Sequence, residues 1–195
     1  MSRRYSLSRK EGWRQYVDDP PRERPHRLTR KEIAGLGEQA RQEYHELRAE
    51  WHANLPIVRT PQLDATHGTL DEIVSSNRHD GERVRRVAAI DALPGLGKST
   101  IANSFARAFD REQIRRHGSL TNDGNERIPV VWVGLSANTT LRSLNQRICE
   151  FYGHPAARRR SSNAEHLAAF ALDCILRAQR ESMTPGSGVS VGLRV

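Results

Sequence analysis

Residues 92–100 read Ala-Leu-Pro-Gly-Leu-Gly-Lys-Ser-Thr and stand between a short apolar run at residues 87–90 and an amphipathic stretch at residues 101–109. A strand, a glycine turn carrying Gly-Lys-Ser and then a helix is the layout of a phosphate-binding loop, the P-loop. Gly95 and Gly97 allow a tight turn and a close approach of backbone to ligand. Backbone N–H groups then converge on an anion at a helix N-terminus, where the dipole also favours negative charge. The candidate nucleotide-binding residues are therefore Pro94, Gly95, Leu96, Gly97, Lys98, Ser99 and Thr100, with Lys98 directed to phosphate oxygens and the Ser99 hydroxyl to Mg²⁺. The strict pattern opens with glycine where this chain has Ala92. Alanine resists positive φ, so the departure falls on the turn and leaves the phosphate-contacting half intact.

Around this loop the apolar pattern alternates between two periods. Residues 84–91 read as the strand that feeds the loop, and residues 129–135, Pro-Val-Val-Trp-Val-Gly-Leu, as a strand covered on both faces, as in a parallel sheet. The helical period runs through Ile101, Phe105 and Phe109, and again through Leu141, Leu144, Ile148 and Phe151, with Gly153 placed to end the second helix. Ser162 and Glu165 form a capping box for a last helix with Leu167, Ala168, Ala171, Leu172 and Ile175 inward. Upstream, Thr29 and Glu32 form another box, opening a helix with a stripe of Ile33, Leu36, Ala40, Tyr44, Leu47 and Trp51 that Gly35 and Gly37 weaken. Thr60-Pro61 starts the next, with Leu63, Leu70, Ile73 and Val74 on its face. Strands alternating with helices predict an α/β fold, a parallel sheet flanked by helices, preceded by a helical extension.

The flanks are polar. Only 36% of the 195 residues are hydrophobic and the formal net charge is +8. Residues 1–30 carry nine Arg or Lys against four acids, interspersed with Tyr5, Trp13 and Tyr16. Such an arm is suited to contact nucleic-acid phosphates and stack on bases, or is a disordered, solvated tail. Arg158-Arg159-Arg160 reads as a solvated loop or a phosphate contact. No apolar run is long enough to span a bilayer, and the basic N-terminal stretch lacks the apolar segment that a secretory signal needs. Cys149 and Cys174 lack metal-ligand spacing and read as reduced thiols of a cytoplasmic protein. The eight histidines form no ligand cluster.

From about residue 41 to residue 180 the chain resembles the TniB-type ATP-binding proteins, AAA+ ATPases encoded beside transposases. The likeness rests on Tyr44-His45-Glu46-Leu47, on Leu55-Pro56-Ile57-Val58-Arg59-Thr60-Pro61, on Pro94-Gly95-Leu96-Gly97-Lys98-Ser99-Thr100, on Arg127-Ile128-Pro129-Val130-Val131 and on Ile148-Cys149-Glu150-Phe151-Tyr152-Gly153-His154-Pro155. The resemblance implies a P-loop NTPase of AAA+ type, with ATP and Mg²⁺ as cofactors held by Lys98 and Ser99. It also implies a transposase as partner, DNA as target and a homo-oligomer as one form of assembly.

The same resemblance calls for an apolar strand ending in two acids after residue 180, to support Mg²⁺ and position the attacking water. Residues 181–195 instead read Glu-Ser-Met-Thr-Pro-Gly-Ser-Gly-Val-Ser-Val-Gly-Leu-Arg-Val. The expectation is an incomplete P-loop fold, divided as a basic disordered arm (1–28), a helical extension (29–80), a partial NTPase domain (81–180) and an atypical tail (181–195). Without an acid in that position, ATP hydrolysis is expected to be negligible and no catalytic residue is assigned. The segments 84–91 and 129–135 are expected to lack their usual sheet partners, unless the tail pairs as a strand. Two functions follow from different classes: an ATP-binding regulator of transposition, truncated and impaired in hydrolysis, or a basic helical module that binds DNA or a partner without a working nucleotide site.

Overall fold

The computed structural model describes residues 5–77, 84–158, 163–179 and 193–194, and among these the chain is mostly helical. In order come α1 (Lys10–Asp18), α2 (Arg30–Gly35), α3 (Glu38–Ala53), α4 (Pro61–Ser76), β1 (Ala88–Ala89), α5 (Lys98–His117), α6 (Leu141–Tyr152), a 3-10 turn (Pro155–Arg158), α7 (Ala164–Gln179) and β2 (Leu193–Arg194). The expected α/β fold, a parallel P-loop sheet of AAA+ type, is not formed. Of residues 84–91 only Ala88–Ala89 pairs, in parallel with Leu193–Arg194, and residues 129–135 join no strand.

The reason is physical. An apolar run supplies β propensity, but a strand exists only where a neighbour completes its hydrogen-bond ladder. In residues 128–132 the side chains find burial against helices instead. Ile128 and Val130 lie in a cluster with Trp13, Val17, Ala106, Phe151 and Ala178. The Ile128 N–H donates to the Ala178 carbonyl of α7 (3.1 Å), and the Gly134 carbonyl is taken by the Arg147 guanidinium of α6. Val84 and Val87 are left 96% and 76% exposed.

The chain divides into two units, Met1–Arg4 with Asp19–Arg59, and Tyr5–Asp18 with Thr60–Val195. This division cuts across the expected arm. Residues 10–18 form α1, and its aromatic side chains serve the core of the larger unit. Trp13 is fully buried, and its indole Nε1–H donates to the Asp110 carboxylate of α5 at 2.9 Å. Arg14 donates to the same carboxylate (3.0 Å) and to the Arg127 carbonyl (2.9 Å), and Lys10 pairs with Glu126 at 2.9 Å. The last carbonyls of a helix have no intrahelical donor. At α1 the Val17 carbonyl accepts from Arg107 (3.3 Å) and Arg111 (2.7 Å). Residues 5–8 cross so close to Gly12 that a Cβ there would stand 2.2 Å from the Ser6 carbonyl oxygen.

Two smaller clusters complete this unit. Leu70 and Val74 of α4 pack on Phe105 of α5, with Ala88 and Ile90 against them. Cys149, Ala156, Ala157, Leu167 and Ala171 join α6, the 3-10 turn and α7. On α7, Leu167 and Ala171 face inward as expected, whereas Ala168 and Leu172 are exposed.

Local signals set most helix ends. Thr60 and Thr140 accept N–H bonds from the first turns of α4 and α6, and Gly153 closes α6 at φ 73°. In the smaller unit the Thr29–Glu32 capping box is present, with Thr29 N–H donating to the Glu32 carboxylate at 2.7 Å. The helix it opens stops at Gly35. Leu36 and Gly37 are extended, and α3 begins afresh at Glu38. Neither α2 nor α3 buries a residue, so the expected packing stripe is instead a partly exposed face, with Leu47 57% exposed.

Candidate functional site

The glycine loop keeps its local conformation without its sheet. Gly95 and Gly97 have φ of 84° and 80°, in the left-handed region open to glycine, and Gly97 stands at the N-cap of α5 with no side chain capping it. Lys98 is the first residue of α5 and turns back on the loop. Its ammonium donates to the Ala92 carbonyl at 2.7 Å and to the Leu93 carbonyl at 3.2 Å. Pro94, Gly95, Leu96, Ser99 and Thr100 are exposed, and Gly97 and Lys98 half-buried. Ser99 lies at the rim of an apolar cavity of about 200 Å³ between α5 and residues 130–135, lined by Ala102, Phe105, Phe109, Val131 and Trp132. Trp132 is fixed there by its indole N–H, which donates to Asn103 Oδ1 at 3.1 Å. The loop is thus a left-handed glycine turn leading into a long helix, on a helical framework. Among the described residues no group of three His, Cys, Asp or Glu side chains stands together as a metal site.

The Asp110 carboxyl is fully buried between α1 and α5, and burial raises its pKa above the ordinary value, against the lowering effect of the Trp13 and Arg14 hydrogen bonds. Its partners make it a structural tie. Tyr16 has a raised pKa for the same reason, burial, and the Arg107 guanidinium lies over its ring at 4.9 Å. Trp13 is therefore not available to stack on bases, and Lys10 and Arg14 are committed to pairs within the protein.

A different basic surface lies within the smaller unit. Residues 24–28 and one face of α3 enclose a groove of about 340 Å³, lined by Arg24, Arg27, Tyr44, Arg48, Trp51 and His52, with Pro25 and Leu28 between them. The groove has no carboxylate in its lining. Its form follows from the sequence. Tyr44, Arg48 and Trp51 recur at spacings of four and three and so share one face of α3. The Tyr44 hydroxyl then pins the preceding segment, accepting from Leu28 N–H and donating to the His26 carbonyl, both at 3.1 Å. Arg22 is held by Glu50, whose pKa it lowers through their hydrogen bond. The Arg24 guanidinium lies over the Trp51 ring at 5.3 Å and that of Arg48 over the Tyr44 ring at 5.7 Å, both cation–π contacts. Stacked in this way the guanidiniums keep their N–H edges for hydrogen bonds. Arg24, Arg27 and Arg48 are exposed, and Tyr44 and Trp51 half-buried.

Sequence reasoning placed the basic contact surface in residues 1–30 and drew on Tyr5, Trp13 and Tyr16 for stacking. The structure assembles Arg24 and Arg27 of that segment with Tyr44, Arg48 and Trp51 instead. For Tyr44 and Trp51 the signal is the helical spacing, which on sequence reads as packing; Arg48 carries the same spacing but stands outside that apolar stripe.

Comparison with known proteins finds no match: no protein-family model, no curated protein and no solved structure is significantly similar to this chain. No helix among the described residues is long and apolar enough to cross a membrane.

Proposed function

We propose that this chain is a basic helical module that binds nucleic acid, with the groove of residues 24–52 as its phosphate-contacting surface. The observation that carries the reading is the gathering of Arg24, Arg27 and Arg48 around one groove that no carboxylate lines. Arginine presents planar donors suited to phosphate oxygens, and each phosphate neutralised releases counterions, which makes affinity fall with salt. The net charge of +8 adds a sequence-independent attraction. The resemblance to transposition-associated proteins supports DNA as the partner.

The test is fluorescence anisotropy of labelled oligonucleotides with the full chain over a range of salt, alongside the Arg24→Gln/Arg27→Gln/Arg48→Gln variant. The reading predicts salt-dependent binding and a shallower dependence in the variant. An unchanged slope overturns the groove as the contact surface. Binding of an acidic peptide but of no oligonucleotide overturns nucleic acid in favour of a protein partner.

A second reading has its own observation. The left-handed Gly95 and Gly97 before a long helix, with Lys98 beside them, support ATP binding with Mg²⁺ at residues 94–100. Saturable binding of an ATP analogue that Lys98→Ala removes is its expected outcome, and an equal signal from the variant rejects it. A transposase partner rests on the resemblance alone.

A further inference from the structure

We infer that the groove takes unpaired bases, so that its ligand is single-stranded nucleic acid rather than duplex; this rests on the phosphate reading of the same groove. A surface that reads only the duplex backbone needs cations and no rings. Here two aromatic side chains, Tyr44 and Trp51, stand among the three arginines, in the same lining as His52. Every base has a π-face, and stacking on aromatic or guanidinium planes is the sequence-tolerant way to hold a single strand, while paired bases keep their faces inside the duplex.

Tyr44 and Trp51 differ in the part they play. Tyr44 is fixed by both its hydroxyl bonds, to residues 26 and 28, and shapes the groove. Trp51 meets Arg24 over one ring and His52 edge-on, 5.1 Å between centroids, and belongs to no buried cluster. A base therefore stacks in the Arg24–Trp51 layer, with a guanidinium or the indole as its plane, while Arg27 and Arg48 hold the flanking phosphates. No sequence preference is expected, because nothing in the lining is arranged to read one base edge.

The experiment compares three labelled ligands of equal length on the full chain: a single strand, the same strand with abasic sites, and the duplex. It is repeated with Trp51→Leu and with the triple arginine variant, and far-UV circular dichroism confirms the helix content of each variant. The inference predicts that the abasic strand binds roughly tenfold or more weakly than the intact one to the natural chain. It predicts that Trp51→Leu brings intact and abasic strands close to equal affinity, a larger change than it makes in duplex binding. Equal binding of intact and abasic strands by the natural chain overturns the base-stacking inference and leaves the phosphate reading standing, provided that the arginine variant flattens the slope. A Trp51→Leu variant that flattens the slope without touching the intact-to-abasic ratio also overturns it, since Trp51 then serves only to position Arg24. If the arginine variant changes nothing, both readings fall together.

Discussion

Replacing Trp13 should unfold more of the larger unit than its place near the N-terminus suggests. The side chain is fully buried, in a cluster with Val17, Ala106, Ile128, Val130, Phe151 and Ala178. Truncating a buried Trp to Ala costs about 3–5 kcal/mol when the cavity does not collapse. Here collapse is hindered because the indole is tied to Asp110 of α5 and packs in one cluster with residues of α1, α5, α6 and α7. The indole N–H is also one of the donors to buried Asp110, and a buried acceptor that loses a donor costs roughly 1–3 kcal/mol more. The two effects share a site and do not add in full, so about 4 kcal/mol is expected for Trp13→Ala. Trp13→Phe separates them: the ring volume is largely kept and the N–H removed, for about 1–2 kcal/mol. Urea unfolding followed by far-UV circular dichroism measures both, with a common m-value as the check that the same surface is exposed. A loss below about 1 kcal/mol for Trp13→Ala would refute the reasoning, because α1 would then be an appendage and the basic arm would again be free to act as one.

Asp110→Asn should change the pH dependence of stability in a stated direction. A folded-state pKa raised by burial means that the folded chain binds more protons than the unfolded one above the ordinary carboxylate value, so stability falls as pH rises through that window. The natural chain should therefore lose stability relative to Asp110→Asn from about pH 4 upward, and parallel pH profiles would remove Asp110 as the cause. Gly97→Ala forces a left-handed φ of 80° on alanine in otherwise open space, and should cost about 1 kcal/mol by urea titration; a neutral substitution would mean that the turn relaxes freely. Cys149, buried and with its thiol pushed up to about 11 by desolvation, should label with iodoacetamide at neutral pH far more slowly than a free cysteine; rapid modification in the folded state would contradict the packing of α6 on α7.

Much of the helical framework was legible, because its signals are local. Thr60 starts α4, Gly153 ends α6, and the periodic residues mark α4, α5 and α6. The two strands were not legible in the same way. Val-Val-Trp-Val at residues 130–133 carries strand propensity, but a ladder needs a partner at a distance that no local pattern specifies. Strand formers without sheet partners set backbone pairing against side-chain burial. In the chain the conflict resolves in favour of side-chain burial on α1, α5 and α6. At the site, Gly95 and Gly97 took the left-handed conformation the loop pattern asks for. Trp13, Tyr16 and Val17 fall at spacings of three and four, a helical signal outweighed by the charge around it. Tyr44 and Trp51 belong to the stripe that the spacing assigns to packing, since nothing local tells a buried stripe from one that lines a groove, and Arg48 stands outside it.

The account stands on the salt dependence of oligonucleotide binding. For three arginine–phosphate contacts with a single strand, replacing Arg24, Arg27 and Arg48 by Gln should reduce the slope of log K against log salt by about 2. Between 50 mM and 200 mM salt that is a difference of about 20-fold in how far affinity falls. A single-strand titration of the natural chain and the variant across this range would read it directly. A slope smaller by about 2 in the variant is the expected result, and superimposable slopes, or no binding by the natural chain at the lower salt, would contradict it.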